Sequence, residues 1–296
     1  MTAAVSPQRA PFGARLAAAM TEFGPLCVGI DPHPGLLAAW GLADDIAGLR
    51  SFSLTVVEAL GGKVASFKPQ SALFERHGSK GVGVLEEVIA AARDAGTLTI
   101  VDAKRGDIGS TMAGYADAFL ADGAPLAGDA LTVSPYLGFG SLAPAVELAH
   151  ETGRGLFVLC LTSNPEGKQV QHSVTTTGTS VAADMAAHAA ALNADAASRG
   201  ELGSIGLVVG ATIGDAARDL GVDLAAVNGP LLAPGVGAQG AGAAELAQVF
   251  GGARTSVLAS SSRGVLKAGP SHEALQRAAL VAAAEARDAL RDTPNG

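Results

Sequence analysis

Three ionisable residues at the end of one apolar run, Asp102, Lys104 and Asp107 in "VDAKRGDIGST", place an amine between two carboxylates. An ammonium oriented by such partners can stabilise an anion that develops during a reaction and deliver a proton to it. The concentration is notable because only 16% of the chain is charged. Side chains at i and i+2 of a strand share a face, so Asp102 and Lys104 are expected to point into one space with Cα atoms about 7 Å apart. Asp107 lies beyond the strand, where a loop can return it toward Lys104 or present it to another subunit. Asp107 and Ser110 are also of the types that cap a following helix. Arg105, between them, faces the other way and reads as a surface or salt-bridge residue.

Further polar residues end other apolar runs. Lys68 ends "VASFK", Asp31 follows "LCVGI" and Ser134 closes "ALTVS". Two later runs end differently, in the glycine-rich "APGVGAQGAG" (233–242), with Gln239, and in "SSSRG" (260–264), with Arg263 and Gly264. Backbone N–H groups and a guanidinium are suited to a phosphate dianion, so a phosphorylated small substrate is expected. His33 and His77 have no partner at metal-ligand spacing, and no metal is expected. No thiamine or pyridoxal motif is evident.

These residues need a scaffold that delivers many strand ends to one rim. Eight short apolar runs recur, at 26–30, 64–68, 98–104, 130–134, 156–161, 205–210, 230–234 and 256–260. Segments with helical period lie between them, such as 82–96, 241–252 and 272–292, the last with Pro270 and Ser271 at its start. Alternating strands and helices imply parallel βαβ units, and eight of them predict an α/β fold, a closed (β/α)8 TIM barrel. An open doubly wound sheet is the runner-up. It fits less well, because no GxGxxG opens a helix after the first strand and charge gathers at many strand ends. The expectation is a single domain over 1–296 with its core at about 24–292. The polar segment 162–178 is expected to be a mobile loop on the active-site face. Trp40 is expected to pack a helix.

Composition excludes several classes. Hydrophobic residues make up 48% but aromatics only 4%, which suits helices on buried strands and not nucleic-acid stacking surfaces. A net charge of −8 disfavours nucleic acid and anionic membranes, so an anionic ligand needs a local cationic site. Cys27 and Cys160 sit in apolar runs and read as buried thiols, consistent with a cytoplasmic location. Neither a secretory signal nor a membrane span is expected.

The segments "GIDPHP", "FKPQSALFE", "VDAKRGDIGST", "TVSPYLG", "APGVGAQG" and "SSSRG" together resemble the orotidine 5′-phosphate decarboxylase family, in particular its bacterial subgroup typified by mycobacterial enzymes, over about Cys27 to Lys267. The D-x-K-x-x-D-I pattern alone is shared across a superfamily; the combination is specific. The resemblance implies a homodimer that converts orotidine 5′-monophosphate into uridine 5′-monophosphate and CO2, with no metal or organic cofactor. It implies that Asp107 and Thr111 cross the dimer interface, that Asp31 binds ribose hydroxyls, that Ser134 meets the pyrimidine, and that Gln239, Arg263 and Gly264 hold the phosphate. Lys104 would meet the C6 carbanion, with Asp102, Lys68 and Asp107 completing an alternating array.

The nearest alternative is a Mg2+-dependent sugar-phosphate decarboxylase or aldolase of the same superfamily. Those enzymes carry an acidic residue where this chain has Lys68, and a lysine there repels the metal. A non-catalytic phosphate-binding barrel is a third reading, disfavoured because binding alone does not need an amine set between acids.

Overall fold

The computed structural model describes residues 9–236 and 241–291. Within them, parallel strands β1 (Leu26–Ile30), β2 (Ser66–Pro69), β3 (Leu98–Arg105), β4 (Ala130–Val133), β5 (Gly155–Leu161), β6 (Ile205–Val209), β7 (Leu231–Pro234) and β8 (Val257–Ser261) close into a barrel in sequence order. Every apolar run read from the sequence is a strand, so the structure has the expected (β/α)8 form.

The period of two separates two cores. Cys27, Ile100, Ala130, Phe157, Val208, Leu232 and Leu258 fill the barrel interior, while their neighbours in the strands, such as Val28, Val101, Leu131 and Val158, pack outward against the helices. The helix Phe12–Phe23 plugs the lower end of the barrel, with Phe12 and Leu16 fully buried in the interior cluster. The Phe12 ring meets Phe157 edge-on at 5.9 Å. Gly155 makes this possible, since a Cβ there would fall 2.2 Å from the Phe12 ring. Burying each of these large side chains contributes about 1.5–3 kcal/mol. The upper end is left to polar residues.

Helices cover the outside. The expected segments become Gly78–Asp94, Ala243–Phe250 and His272–Leu290, the last capped by the Ser271 hydroxyl, which accepts from Ala274 N. Trp40 is buried behind β1 and β8: its ring packs on Phe52 at 4.3 Å and its indole N–H donates to the Leu266 carbonyl at 2.9 Å. It thereby ties the segment after β1 to the short helix Arg263–Leu266 that follows β8.

Residues 162–178, expected to form a mobile loop, carry short-range order of their own. They hold a 3-10 turn at Pro165–Gly167, a helical turn at Lys168–Gln171 and a bridge between Val174 and Ser180. The reason is local side-chain bonding, which hydropathy does not register: Gln171 accepts from Thr162 N at 2.9 Å and donates to Thr162 Oγ1 at 2.8 Å. Among the described residues, no helix is long and apolar enough to cross a membrane.

Candidate active site

Asp102 is the centre of the upper rim. Its inward position on β3 is 7% exposed, and three donors converge on its carboxylate. Lys68 Nζ, from β2, lies 2.8 Å from Oδ2; Lys104 Nζ lies 2.5 Å from Oδ1; and the Thr132 hydroxyl, from β4, donates to Oδ1 at 2.9 Å. Charge-assisted bonds of this kind are short and strong, and they compensate a carboxylate that burial would otherwise penalise.

The electrostatics follow from that packing. Burial pushes the Asp102 carboxyl up, but the Lys68 and Lys104 ammonium groups outweigh it and hold the carboxyl below its ordinary range. Burial also pulls the Lys68 amine down, yet Asp102 and then Asp31 outweigh this and hold it above its ordinary value. Lys68 is 6% exposed and belongs to the floor of the site. Lys104 is different, with 44% of its side chain open to the barrel mouth. Beneath them lies the Cys27 thiol, pushed up to about 11 by burial and therefore neutral.

Lys104 reaches this position by a route that strand alternation does not describe. Its φ is +47°, in the left-handed region, which costs a residue other than glycine about 1–3 kcal/mol. The pairing of β3 with β4 passes from Val101↔Leu131 to Arg105↔Val133, so four steps on β3 match two on β4. The extra length bulges the strand at the lysine. The expected Asp102–Lys104 pairing is formed, but through an irregularity and not through a regular i, i+2 relation. Thr132, which the sequence reading passed over as part of an apolar run, fills the gap: its Oγ1 accepts from Lys104 N at 2.9 Å. The signal was present two residues before Ser134, at the same strand parity.

Asp31, Ser134, Arg263 and Gly264 follow other strands at the same end of the barrel. Asp31 follows β1, and its Oδ1 is buried with no hydrogen-bond partner among the described residues. Gly29, paired with Lys68 across β1 and β2, leaves room at the rim: a Cβ there would lie 1.9 Å from the Ser262 hydroxyl. Ser134 stands at the end of β4 with its N–H donating to the Arg105 carbonyl at 2.8 Å. Gly106 lets the two loops touch, since its Cβ would lie 2.3 Å from the Ser134 carbonyl oxygen. Arg263 and Gly264 are exposed after β8. Gln239 lies outside the described residues.

Asp107 is not brought to Lys104 within one chain; no ion pair joins them among the described residues. Nor do Asp107 and Ser110 cap the next helix, because Ile108 occupies the cap position of Gly109–Leu120 and no side chain bonds there. Asp107 Oδ1 instead accepts from the adjacent Ile108 N at 2.8 Å. Ile108 and Thr111, close to it in the chain, are exposed, as are Tyr136 and Leu137 in the loop after β4, Ile108 by 62% and Tyr136 by 75%. Arg105 turns outward as expected, paired with Glu75 and set over the rings of Tyr115 and Phe119. No cluster of three or more His, Cys, Asp or Glu side chains among the described residues is set to hold a metal ion.

Comparison with known proteins points to one family. Residues 24–278 match the model of the Orotidine 5′-phosphate decarboxylase / HUMPS family. An orotidine 5′-phosphate decarboxylase of Streptomyces coelicolor is 62% identical over 95% of this chain and 98% of its own length, and one of Salinispora arenicola is 60% identical over 94% and 98%. A solved Streptomyces avermitilis protein, named provisionally for the same activity, is 62% identical with a TM-score of 0.91, covering 96% of this chain and 97% of its own. The solved Leishmania donovani OMP decarboxylase is similar at 29% identity and a TM-score of 0.68, over 88% and 93% of the two chains.

Proposed function

The chain belongs to the orotidine 5′-phosphate decarboxylase / HUMPS family, and from that premise we propose that it is a carboxy-lyase converting orotidine 5′-monophosphate into uridine 5′-monophosphate and CO2. The family description spans two chemistries. The relatives named above, similar over nearly their whole length, favour the nucleotide reaction over the metal-dependent sugar-phosphate alternative.

One observation carries the mechanism: a buried carboxylate, Asp102, is held between two lysines of which only Lys104 opens to the barrel mouth. Breaking the bond from C6 to the carboxylate leaves an electron pair in the plane of the pyrimidine, where no adjacent π-acceptor can receive it. A cation must therefore meet that carbon directly. Lys104 supplies the charge, then transfers one ammonium proton to C6 as CO2 departs, and regains a proton from solvent. Asp102 and Lys68 orient it in a site of low dielectric, where such interactions are strengthened. The reaction needs neither metal nor organic cofactor.

Substrate contacts follow the rim. Asp31, whose buried Oδ1 lacks a partner, takes the ribose hydroxyls; Ser134 takes the pyrimidine; Gln239, Arg263 and Gly264 take the phosphate. Phosphate binding far from C6 supplies energy for ordering the site. The barrel acts as one domain, 1–296, and the segment 162–178 closes over the nucleotide, with Val170 and Val174 exposed on it to shield the base.

The enzyme works as a homodimer. Exposed Ile108, Tyr136 and Leu137 on the loops after β3 and β4 favour burial against a second copy, and Asp107 and Thr111 beside them then enter the partner's site. Free, buried Cys27 and Cys160 suit the reducing cytoplasm. The decisive test is an ultraviolet assay for loss of orotidine 5′-monophosphate with and without EDTA. Turnover retained in chelator supports this reading; an absolute Mg2+ requirement transfers the chain to the alternative.

A further inference from the structure

The geometry points to Thr132 as a positioning residue for the proton donor: its hydroxyl locks the bulged backbone of Lys104 to the carboxylate that orients the Lys104 ammonium. This inference rests on the role proposed for Lys104 above.

A backbone N–H can only donate and an ionised carboxylate can only accept. The Thr132 hydroxyl lies between one of each, 2.9 Å from Lys104 N and 2.9 Å from Asp102 Oδ1. Its single proton must therefore point at Asp102, while a lone pair receives Lys104 N–H. Neither bond competes with the other, and their directions are fixed without any choice of rotamer for the hydrogen. Thr132 is 1% exposed, so solvent does not replace the hydroxyl.

The bulge explains why a side chain is needed here. In a regular parallel ladder the N–H of each inward step finds a carbonyl on the neighbouring strand. Where β3 spends four steps against two on β4, that pairing is interrupted, and Lys104 turns to φ +47°. The acceptor for Lys104 N is there the side-chain Oγ1 of Thr132. The same oxygen then joins Asp102 Oδ1, the atom that also meets Lys104 Nζ at 2.5 Å. Main chain and ammonium of one lysine are thus anchored to two linked oxygens, so the amine stays aimed at the mouth while the nucleotide enters. A 1 Å error in such a group is expensive in rate and cheap in binding.

Four proteins test this: the wild type, Thr132→Val, Thr132→Ser and Thr132→Ala, each assayed for kcat and KM with orotidine 5′-monophosphate and normalised to sites that bind uridine 5′-monophosphate. Valine keeps the shape and removes the hydroxyl; serine keeps the hydroxyl and removes the methyl. The expected result is a fall in kcat of about 10–100-fold for valine with little change in KM, and near wild-type kcat for serine. Should the valine variant fold poorly, serine and alanine, both lacking the methyl, differ only by the hydroxyl, and alanine should fall below serine by a similar factor. A merely structural role lowers the number of binding-competent sites and leaves kcat per site unchanged, which overturns the inference. So does serine behaving as badly as valine or alanine. A wild type without decarboxylase turnover overturns the functional reading as well; an active wild type, a dead Lys104→Ala variant and full kcat in Thr132→Val overturn this inference alone.

Discussion

The two ends of the barrel both gather buried charge, yet they use it in opposite ways. At the lower end, Arg15 gives Nε to the Ala10 carbonyl, Nη1 to Asp129 and Nη2 to the Gly153 carbonyl. Arg154 likewise spends its nitrogens on the carbonyls of Leu120 and Gly128 and on Asp122, which Arg9 also reaches. Asp129 completes the set by accepting from Thr99 N at 2.9 Å. These groups are satisfied by protein, and the planar guanidinium suits fixed multidentate bonding. At the upper end the cations are lysines, two of them share one carboxylate, and Lys104 stays partly open. Bonding capacity filled by protein makes a joint; capacity left open at the barrel mouth stays available to a ligand.

Substitutions can break this contrast, and the largest effect is expected at Lys104. Lys104→Ala should lower kcat by at least about 10⁴-fold, the combined scale of a proton donor and a charge stabiliser, while uridine 5′-monophosphate binding, read by titration, survives. Unchanged turnover would remove the upper array from the chemistry. Asp102→Asn comes next, with about a 10³-fold loss. The Lys68 amine then loses the carboxylate that offsets its burial, so its pKa falls and the alkaline loss of activity in a pH–rate profile begins earlier.

Mixing Lys104→Ala with Asp107→Ala tests the shared site. Random pairing in a symmetric dimer makes about one quarter of sites free of both lesions, so up to about a quarter of wild-type activity should return. No recovery despite demonstrated subunit exchange would confine Asp107 to its own chain or remove it from catalysis. At the lower end, Asp129→Asn should cost about 2–3 kcal/mol in denaturant unfolding, less than a fully buried pair because a fifth of each side chain is exposed, and should leave kcat of the folded fraction intact. A large kcat effect there would dissolve the distinction between the ends.

The smallest effect is the pH dependence of stability. Asp102, held below its ordinary value of 3.8, contributes stability that is present above pH 3.8 and lost as pH falls through its folded value. Lys68, held above 10.5, contributes stability present below 10.5 and lost as pH rises through its folded value. The Cys27 thiol, raised from 9.0 to about 11 by burial, disfavours the folded state progressively between those values. The melting temperature should therefore decline from about pH 9 upward, and Cys27→Ala should flatten the first part of that decline relative to wild type. Identical curves would mean that Cys27 is not sealed beneath the lysines.

Much of this was legible in residue order. The apolar runs became strands because a buried parallel strand needs continuous hydrophobic residues over four to eight positions, and Lys68, Asp102 and Ser134 fell at their ends for the same reason. The local order within 162–178 is not legible from hydropathy, since it comes from Gln171 closing back on Thr162 and not from an apolar stripe. Asp107 was ambiguous locally, and only the capless start of the next helix removed one of its readings.

The sequence by itself determined the strand and helix period, the parity that turns Asp102 inward, and a rim rich in amines and carboxylates. Those follow from the pleat and from side-chain chemistry, both local. Tertiary structure alone decided which atoms meet: Asp102 finds Lys68 across 34 residues and Thr132 across 30 because barrel closure sets neighbouring strands in register. It also decided that the register slips at Lys104. A slip is a compromise between two strands, so no pattern within either one records it.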